Sequence, residues 1–405
     1  MSNSKTRLRL YISWALTLFI ILTNNWMGWD AGIKAIAWDA ASYEIIAQAA
    51  PSLPQGQLLF HHAQRIFGPY LAGSLSNIAG LPPQVIFYFL AGICIFASIL
   101  FVHKSLVSLW LSTWNYTVCM SLFILNPFTL RYYMIAPGML PDIMFVTGLA
   151  IILFGLIGRH FRSVLIGTLI AALGRQTAAV LIPGLVLWLY AGKGWVDLAP
   201  SKKIACISSA VLVIISVYFM TGHIVSSFAS ESINIEHLTG LFYYLAGPET
   251  NARYTFHFIV YVFMPFLVPL AVVTGISLRN RSLFSLPVEA WASLLFVAGI
   301  IAQPILAGSD ITRLEGGRLS SLGIVPLIIS SSFLMMNSGP PKNGNIPALL
   351  KIILTSALLT GSLHFKHTII GPEDFSNFTL LQVAVSITAF LSIYFMTRPA
   401  KNEAV

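Results

Sequence analysis

Several charged side chains, far apart along the chain, are of the types that phosphate and proton chemistry requires. Asp39 lies in "WDAASYEIIA" (Trp38 to Ala47), with Tyr43 one helical turn on. Arg65 follows in "HHAQRIFGPYL", Asp142 closes "NPFTLRYYMIAPGMLPD", Arg175 interrupts "AALGRQTAAV", and Arg313 and Arg318 flank "LEGG" in "SDITRLEGGR". A carboxylate in a partly dry loop can accept a proton, which makes Asp39 the first catalytic candidate, Asp142 the second and Asp30 a substitute. Arginine carries a planar, permanently charged fork that matches phosphate, so Arg65, Arg175, Arg313 and Arg318, with Tyr43, form the candidate substrate-binding set.

Each assignment has a plainer competitor. Asp39 could cap a helix, Asp142 could serve the helix dipole in a first turn, and Arg65 could snorkel to an interface. Glu315 could pair with a neighbouring arginine. His61 and His62 are adjacent and point different ways on a helix, poor geometry for a metal pair, so they read as interfacial or supporting residues. Trp26, Trp29 and Trp38, with Tyr132 and Tyr133, read as an interfacial aromatic belt rather than a sugar platform. No ligand cluster for a divalent metal is legible.

The elements that must hold these residues are membrane helices. Of 405 residues, 57% are hydrophobic and 9% charged, against roughly 25% charged in soluble domains. The expected fold is an all-α polytopic membrane protein with 11 to 12 spanning or partly spanning helices. Apolar runs near 10–27, 85–102, 113–128, 139–157, 204–222, 256–277, 286–307, 319–336, 347–364 and 377–396 suit a hydrocarbon core of roughly 30 Å. The first run follows Lys5, Arg7 and Arg9 without an obvious small-residue cleavage site, and reads as a retained anchor. The three cysteines give neither a disulfide framework nor metal spacing. The net charge of +9 is scattered over short loops, which speaks against a nucleic-acid partner.

The remaining apolar region, Val164 to Tyr190, carries Arg175 near its middle. A lone arginine at a span centre costs about 2.5–3.5 kcal/mol. Two short helices, roughly 164–173 and 178–190, that rise and return would remove that cost, and would also keep Lys193, Lys202, Lys203, Arg279 and Arg281 on the basic, inner side. Arg175 would then sit at the hairpin tip in a water-accessible cavity open to the outside. The long first outer loop, about 28–84, is expected to hold an interfacial helix over 40–49 and a second starting near Leu58 that carries His61, His62 and Arg65. The acids and tyrosines between Glu231 and Arg253 fall in a later outer loop. No internal repeat, low-complexity tract or soluble domain is legible.

This arrangement of Asp39 in a long first loop, "RIFGPYL" after it, Asp142 in the second loop and Arg175 at a hairpin tip resembles the GT-C superfamily of integral-membrane glycosyltransferases. The resemblance covers residues 10–222, with 1–222 as the shared helical module and 223–405 as helices that complete the cavity. It implies Asp39 as the first-loop catalytic acid, Asp142 as the second-loop acid and Arg175 as a lipid-phosphate contact. The implied donor is a polyprenyl-phosphate-linked sugar. The implied acceptor is a cell-envelope glycan, lipid or protein, at the outer face of a bacterial inner membrane with the N-terminus inside. The second loop has one acid rather than a pair, and no large extracytoplasmic C-terminal domain follows, which weakens an oligosaccharyltransferase or a bound divalent metal. A polysaccharide polymerase or ligase would place its dominant polar loop late in the chain. A transporter or flippase for a lipid-linked anion commonly shows internal repeats.

Overall fold

A computed structural model of the protein describes residues 3–55, 58–229, 252–280, 286–312, 316–337 and 348–397. Among them the chain is helical throughout, with only two isolated β-bridges. It is an all-α polytopic membrane protein: among the described residues six helices are long and apolar enough to cross a bilayer, Pro83–Ser108, Pro137–Gly158, Pro200–Val225, Phe256–Arg279, Val288–Leu306 and Phe375–Met396. Proline marks the first turn of several helices, as at Pro83, Pro141, Pro183 and Pro200, where its missing N–H costs nothing. Ser112 and Asp374 cap two others by accepting from Asn115 N and Asn377 N.

The first half comprises α1 (Asn3–Leu22), α2 (Trp29–Ile36), α3 (Asp39–Ala49), α4 (Phe60–Ala63), α5 (Phe67–Ala79), α6 (Pro83–Ser108), α7 (Thr113–Ile124), α8 (Leu130–Ile135), α9 (Leu140–Gly158), α10 (Phe161–Gly174), α11 (Ile182–Ala191) and α12 (Pro200–Val225). After it come α13 (Ala252–Phe263), α14 (Leu267–Asn280), α15 (Val288–Thr312), α16 (Gly316–Ser321), α17 (Ile324–Asn337), α18 (Ala348–Gly361) and α19 (Phe375–Met396).

Helix α9 is the centre of the bundle, buried along nearly its whole length. Its partner α10 lies close enough for backbones to touch, because the facing residues are glycines. A Cβ on Gly148 would fall 2.4 Å from Ala171 N, and one on Gly174 would fall 2.6 Å from Pro141 O. Small residues are how membrane helices gain van der Waals contact where no hydrophobic drive separates protein from lipid. Gly174→Leu is therefore expected to lower stability by about 1–3 kcal/mol through overpacking and to part Arg175 from Asp142. Thermal unfolding in detergent measures this, and a midpoint equal to wild type would contradict the packing.

The break at Arg175 is present, with backbone φ −150° and ψ 138° at that residue. Gly174 packs against Pro141 at one end of α9, whereas the Trp195 indole donates to Leu156 O (2.9 Å) at the other. Thus α10 and α11 run antiparallel, and Lys193 lies far from Arg175. The second arm differs from expectation: Gln176–Leu181 is a 3₁₀ turn and the α-helix begins only at Ile182.

Other expected spans are also interrupted. The 256–277 run breaks at a 3₁₀ turn over Met264–Phe266, where Pro265 lacks the N–H a continuous helix would use. The 319–336 run divides into α16 and α17 because Pro326 cannot bond back to Leu322. The first run becomes a helix from Asn3 to Leu22, so Lys5, Arg7 and Arg9 lie within it and Thr23 to Trp26 outside. Near the start of α1, Arg9 donates to Leu111 O and lies over the Tyr116 ring.

Candidate active site

Helix α3 covers the expected 40–49 stretch, with one face buried and the other, carrying Ala41, Ile45 and Gln48, exposed. Asp39, Ala40, Tyr43, Ile46 and Ala47 are buried on one face, packed against α5 and the 3₁₀ turn Pro137–Met139. Asp39 and Tyr43, four residues apart, share that face. The helix expected from Leu58 is only the single turn of α4, which releases the chain so that His62 and Arg65 both turn toward α3.

Asp39 is the hub. Its Oδ2 accepts from Arg65 Nη1 (3.1 Å) and Arg318 Nη2 (3.0 Å), and its Oδ1 faces His62 Nε2 at 3.2 Å. Arg65 Nη1 also donates to the Tyr43 hydroxyl (2.6 Å), so the fully buried Tyr43 fixes the guanidinium rather than standing open to a ligand. Burial opposes the charge on Asp39, yet Arg318, the His62 hydrogen bond and Arg65 outweigh it and hold the carboxyl well below the usual range. Burial pushes the Tyr43 phenol up.

Arg318 bridges to a second acid. Its Nε stands 3.6 Å from Asp142 Oδ2, while Asp142 Oδ1 accepts from Arg175 Nη1. Arg175 Nε donates to Thr177 Oγ1 (3.3 Å), and next to it Gln176 Nε2 donates to Gln64 Oε1 (2.7 Å), tying the hairpin tip to the α4 turn. Asp142 and Arg175 are 0% and 1% exposed as side chains. Arg175 is buried rather than open to solvent, and the Asp142 carboxylate supplies the counter-charge that water would otherwise provide.

Two carboxylates and three guanidinium groups from α3, the α4–α5 turn, α9, the hairpin tip and α16 thus meet at one end of the bundle. The chain is similar to arabinofuranosyltransferase AftD from Mycobacteria, 13% identical with a TM-score of 0.44, covering 91% of this chain and 28% of that one. A likeness of that extent carries no argument about activity. No protein-family model and no curated protein matches.

Of the sequence-based candidates, Asp39, Tyr43, Arg65, Asp142, Arg175 and Arg318 converge, and Arg313 lies outside the described residues, as do Glu315 and the 231–251 loop. Asp30 is exposed in the first turn of α2, away from the cluster. His62, read with His61 as interfacial or supporting, pairs with Asp39. Sequence reasoning misplaced three aromatic residues as belt. Trp29 donates to Glu44 Oε2 (2.7 Å) and packs on Phe87. Tyr132 donates to Ile36 O (3.0 Å), and Tyr133 is 1% exposed, its hydroxyl without a partner among the described residues, in the field of Asp142, Arg318 and Arg175. Burial of the two tyrosines follows from α8 being packed inside the bundle, and Trp29, on α2, is half-buried. Trp26 and Trp38 do remain exposed.

A second buried polar cluster holds α8 in place. Arg131, 0% exposed, donates to Ile20 O (3.2 Å), Asn24 Oδ1 (3.3 Å), Thr23 Oγ1 (3.0 Å) and Ser362 Oγ (3.4 Å). Beside it the His364 and His367 rings stack at 3.8 Å, and burial lowers His367 to about 3. A histidine lowered in the folded state stays neutral while the unfolded chain takes up a proton, so its stabilising effect is present above about pH 6.5 and is lost as pH falls toward 3. At pH 5, about 1.5 units below the ordinary value, His367 is expected to have cost about 2 kcal/mol. Unfolding midpoints measured from pH 7.5 to 5 test this: wild type should fall steeply and His367→Asn less so.

Proposed function

We propose that the protein is a membrane glycosyltransferase of the GT-C type, which moves a sugar from a polyprenyl-phosphate donor to a cell-envelope acceptor at the outer membrane face. The observation that carries this reading is the convergence of Asp39 and Asp142 with Arg65, Arg175 and Arg318 in one buried cluster at one end of a helical membrane bundle. Glycosyl transfer from a lipid phosphate must deprotonate a weak nucleophile, stabilise an oxocarbenium-like centre and neutralise the departing phosphate. The arginines fit the last task. Three guanidinium groups face two carboxylates among the described residues, and a singly charged phosphodiester would balance the excess.

In this reading the donor phosphate takes over guanidinium hydrogen bonds that Asp39 now accepts from Arg65 and Arg318. Asp142 positions Arg175 and Arg318, and Asp39 is the anionic centre beside which the acceptor hydroxyl is deprotonated. The inner membrane of a bacterium, with the N-terminus inside, is the location that fits such a donor. Comparing envelope glycoconjugates of cells with and without the protein tests the function. Loss of one sugar from one glycan, lipid or protein is expected, accompanied by accumulation of its lipid-linked donor. An unchanged glycan profile, or labelled lipid crossing vesicles without sugar transfer, would replace an enzyme with a transporter.

A further inference from the structure

The basic atom of this site need not belong to a carboxylate. Asp39 Oδ2 already accepts from two guanidinium groups, and Oδ1 faces His62 Nε2 at 3.2 Å. An ionised carboxylate can only accept, so in a neutral His62 ring Nε2 carries the hydrogen and Nδ1 carries the lone pair. That Nδ1 stands 2.9 Å from Ser42 Oγ. Ser42 lies one helical turn after Asp39 on α3, and is half-buried, as is His62. Among the described residues, the other rings beside the imidazole are those of His61 (centroids 4.2 Å apart) and Tyr43 (6.1 Å), neither a carboxylate. Asp39, His62 and Ser42 therefore form a line from the buried ion pairs toward the half-buried edge of the site.

We propose that His62 Nδ1, reached through the Ser42 hydroxyl, takes the acceptor's proton, and that Asp39 orients the ring and balances the imidazolium. This rests on the glycosyl-transfer reading. In the step, the acceptor O–H bond breaks as its oxygen bonds to the sugar's anomeric carbon. Ser42 receives that proton while passing its own to Nδ1. The bond from the anomeric carbon to the phosphate oxygen breaks with its electron pair, and the phosphate leaves against the arginines. The imidazolium then returns its proton to water. Proton abstraction at neutral pH suits an imidazole, and a carboxylate on the opposite nitrogen fixes its tautomer.

The test compares His62→Gln and His62→Ala with wild type, purified in nanodiscs and supplied with a polyprenyl-phosphate sugar and the acceptor found by the cellular comparison. Glutamine keeps an N–H for Asp39 but cannot accept the proton. Both variants are expected to lose about 100-fold or more in kcat with an unchanged donor KM, and to lose the acid limb of the kcat/KM profile. Added imidazole should restore several-fold activity to His62→Ala alone. His62→Gln turning over within twofold of wild type would overturn the proposal and return the proton to Asp39. A loss in both variants that comes with weakened donor binding and no imidazole rescue would overturn it in favour of a structural role. Wild type that transfers no sugar from any polyprenyl phosphate would instead sink the glycosyl-transfer reading, and this proposal with it.

Discussion

Asp39→Asn is expected to lower sugar transfer by about 10²–10⁴-fold while leaving binding of the lipid donor in place. Asparagine preserves the shape at Asp39 and can still accept from Arg65 and Arg318, so the donor-facing guanidinium groups remain assembled. It removes the charge that balances protonation of His62, and its amide can present an N–H where the imidazole presents its own. Turnover and donor binding measured separately on one preparation check this. Transfer at the wild-type rate would remove Asp39 from the reaction.

The largest effect on stability is expected at Asp142. Asp142→Ala leaves Arg175 buried with its partner gone, and breaking a buried pair in this way costs about 3–5 kcal/mol. Arg175→Met in the same chain removes the stranded charge and should return much of that loss, since a buried pair and an apolar pair of similar size often differ little. Unfolding of the four proteins of this cycle gives the coupling directly. Additive losses would mean that the two side chains do not depend on each other, contrary to their contact.

The pH dependence of the two kinds of group separates them. Asp39 has a lowered pKa, so the stability from its ion pairs is fully present above about pH 4 and is lost only as pH falls further, through the lowered value. Between pH 5 and 8 its own titration contributes nothing to the rate. Loss of stability over the upper part of the acid range belongs to the buried histidines of the second cluster, His364 and His367.

How much of this could be read from the sequence depended on whether the signal was local. A guanidinium within an apolar stretch, next to glycine, has a cost that only a break or a partner can offset, and Gly174 and Arg175 announce the hairpin for that reason. Asp39 and Tyr43 at four-residue spacing fix one helix face without knowledge of the rest. The pairing of His62 with Asp39 spans more than 20 positions and depends on α4 ending after one turn, which no periodicity records. Two adjacent histidines fail as a metal pair, and reading both as interfacial or supporting did not tell which of them meets Asp39. The interruptions at Pro265 and Pro326 lay in plain view as prolines. They were hidden by hydropathy, which sees the length of an apolar run and not its missing N–H groups. Tyr133 read as an interfacial residue because composition alone does not distinguish a belt from a short helix buried inside the bundle.

The most direct measurement of the central claim is a cryo-EM structure with a non-cleavable phosphonate analogue of a polyprenyl-phosphate sugar. The account predicts the phosphonate within hydrogen-bond distance of Arg65 and Arg318, with the anomeric carbon facing Asp39 and His62. A phosphonate bound elsewhere, with both guanidinium groups still on Asp39 and Asp142, would contradict it.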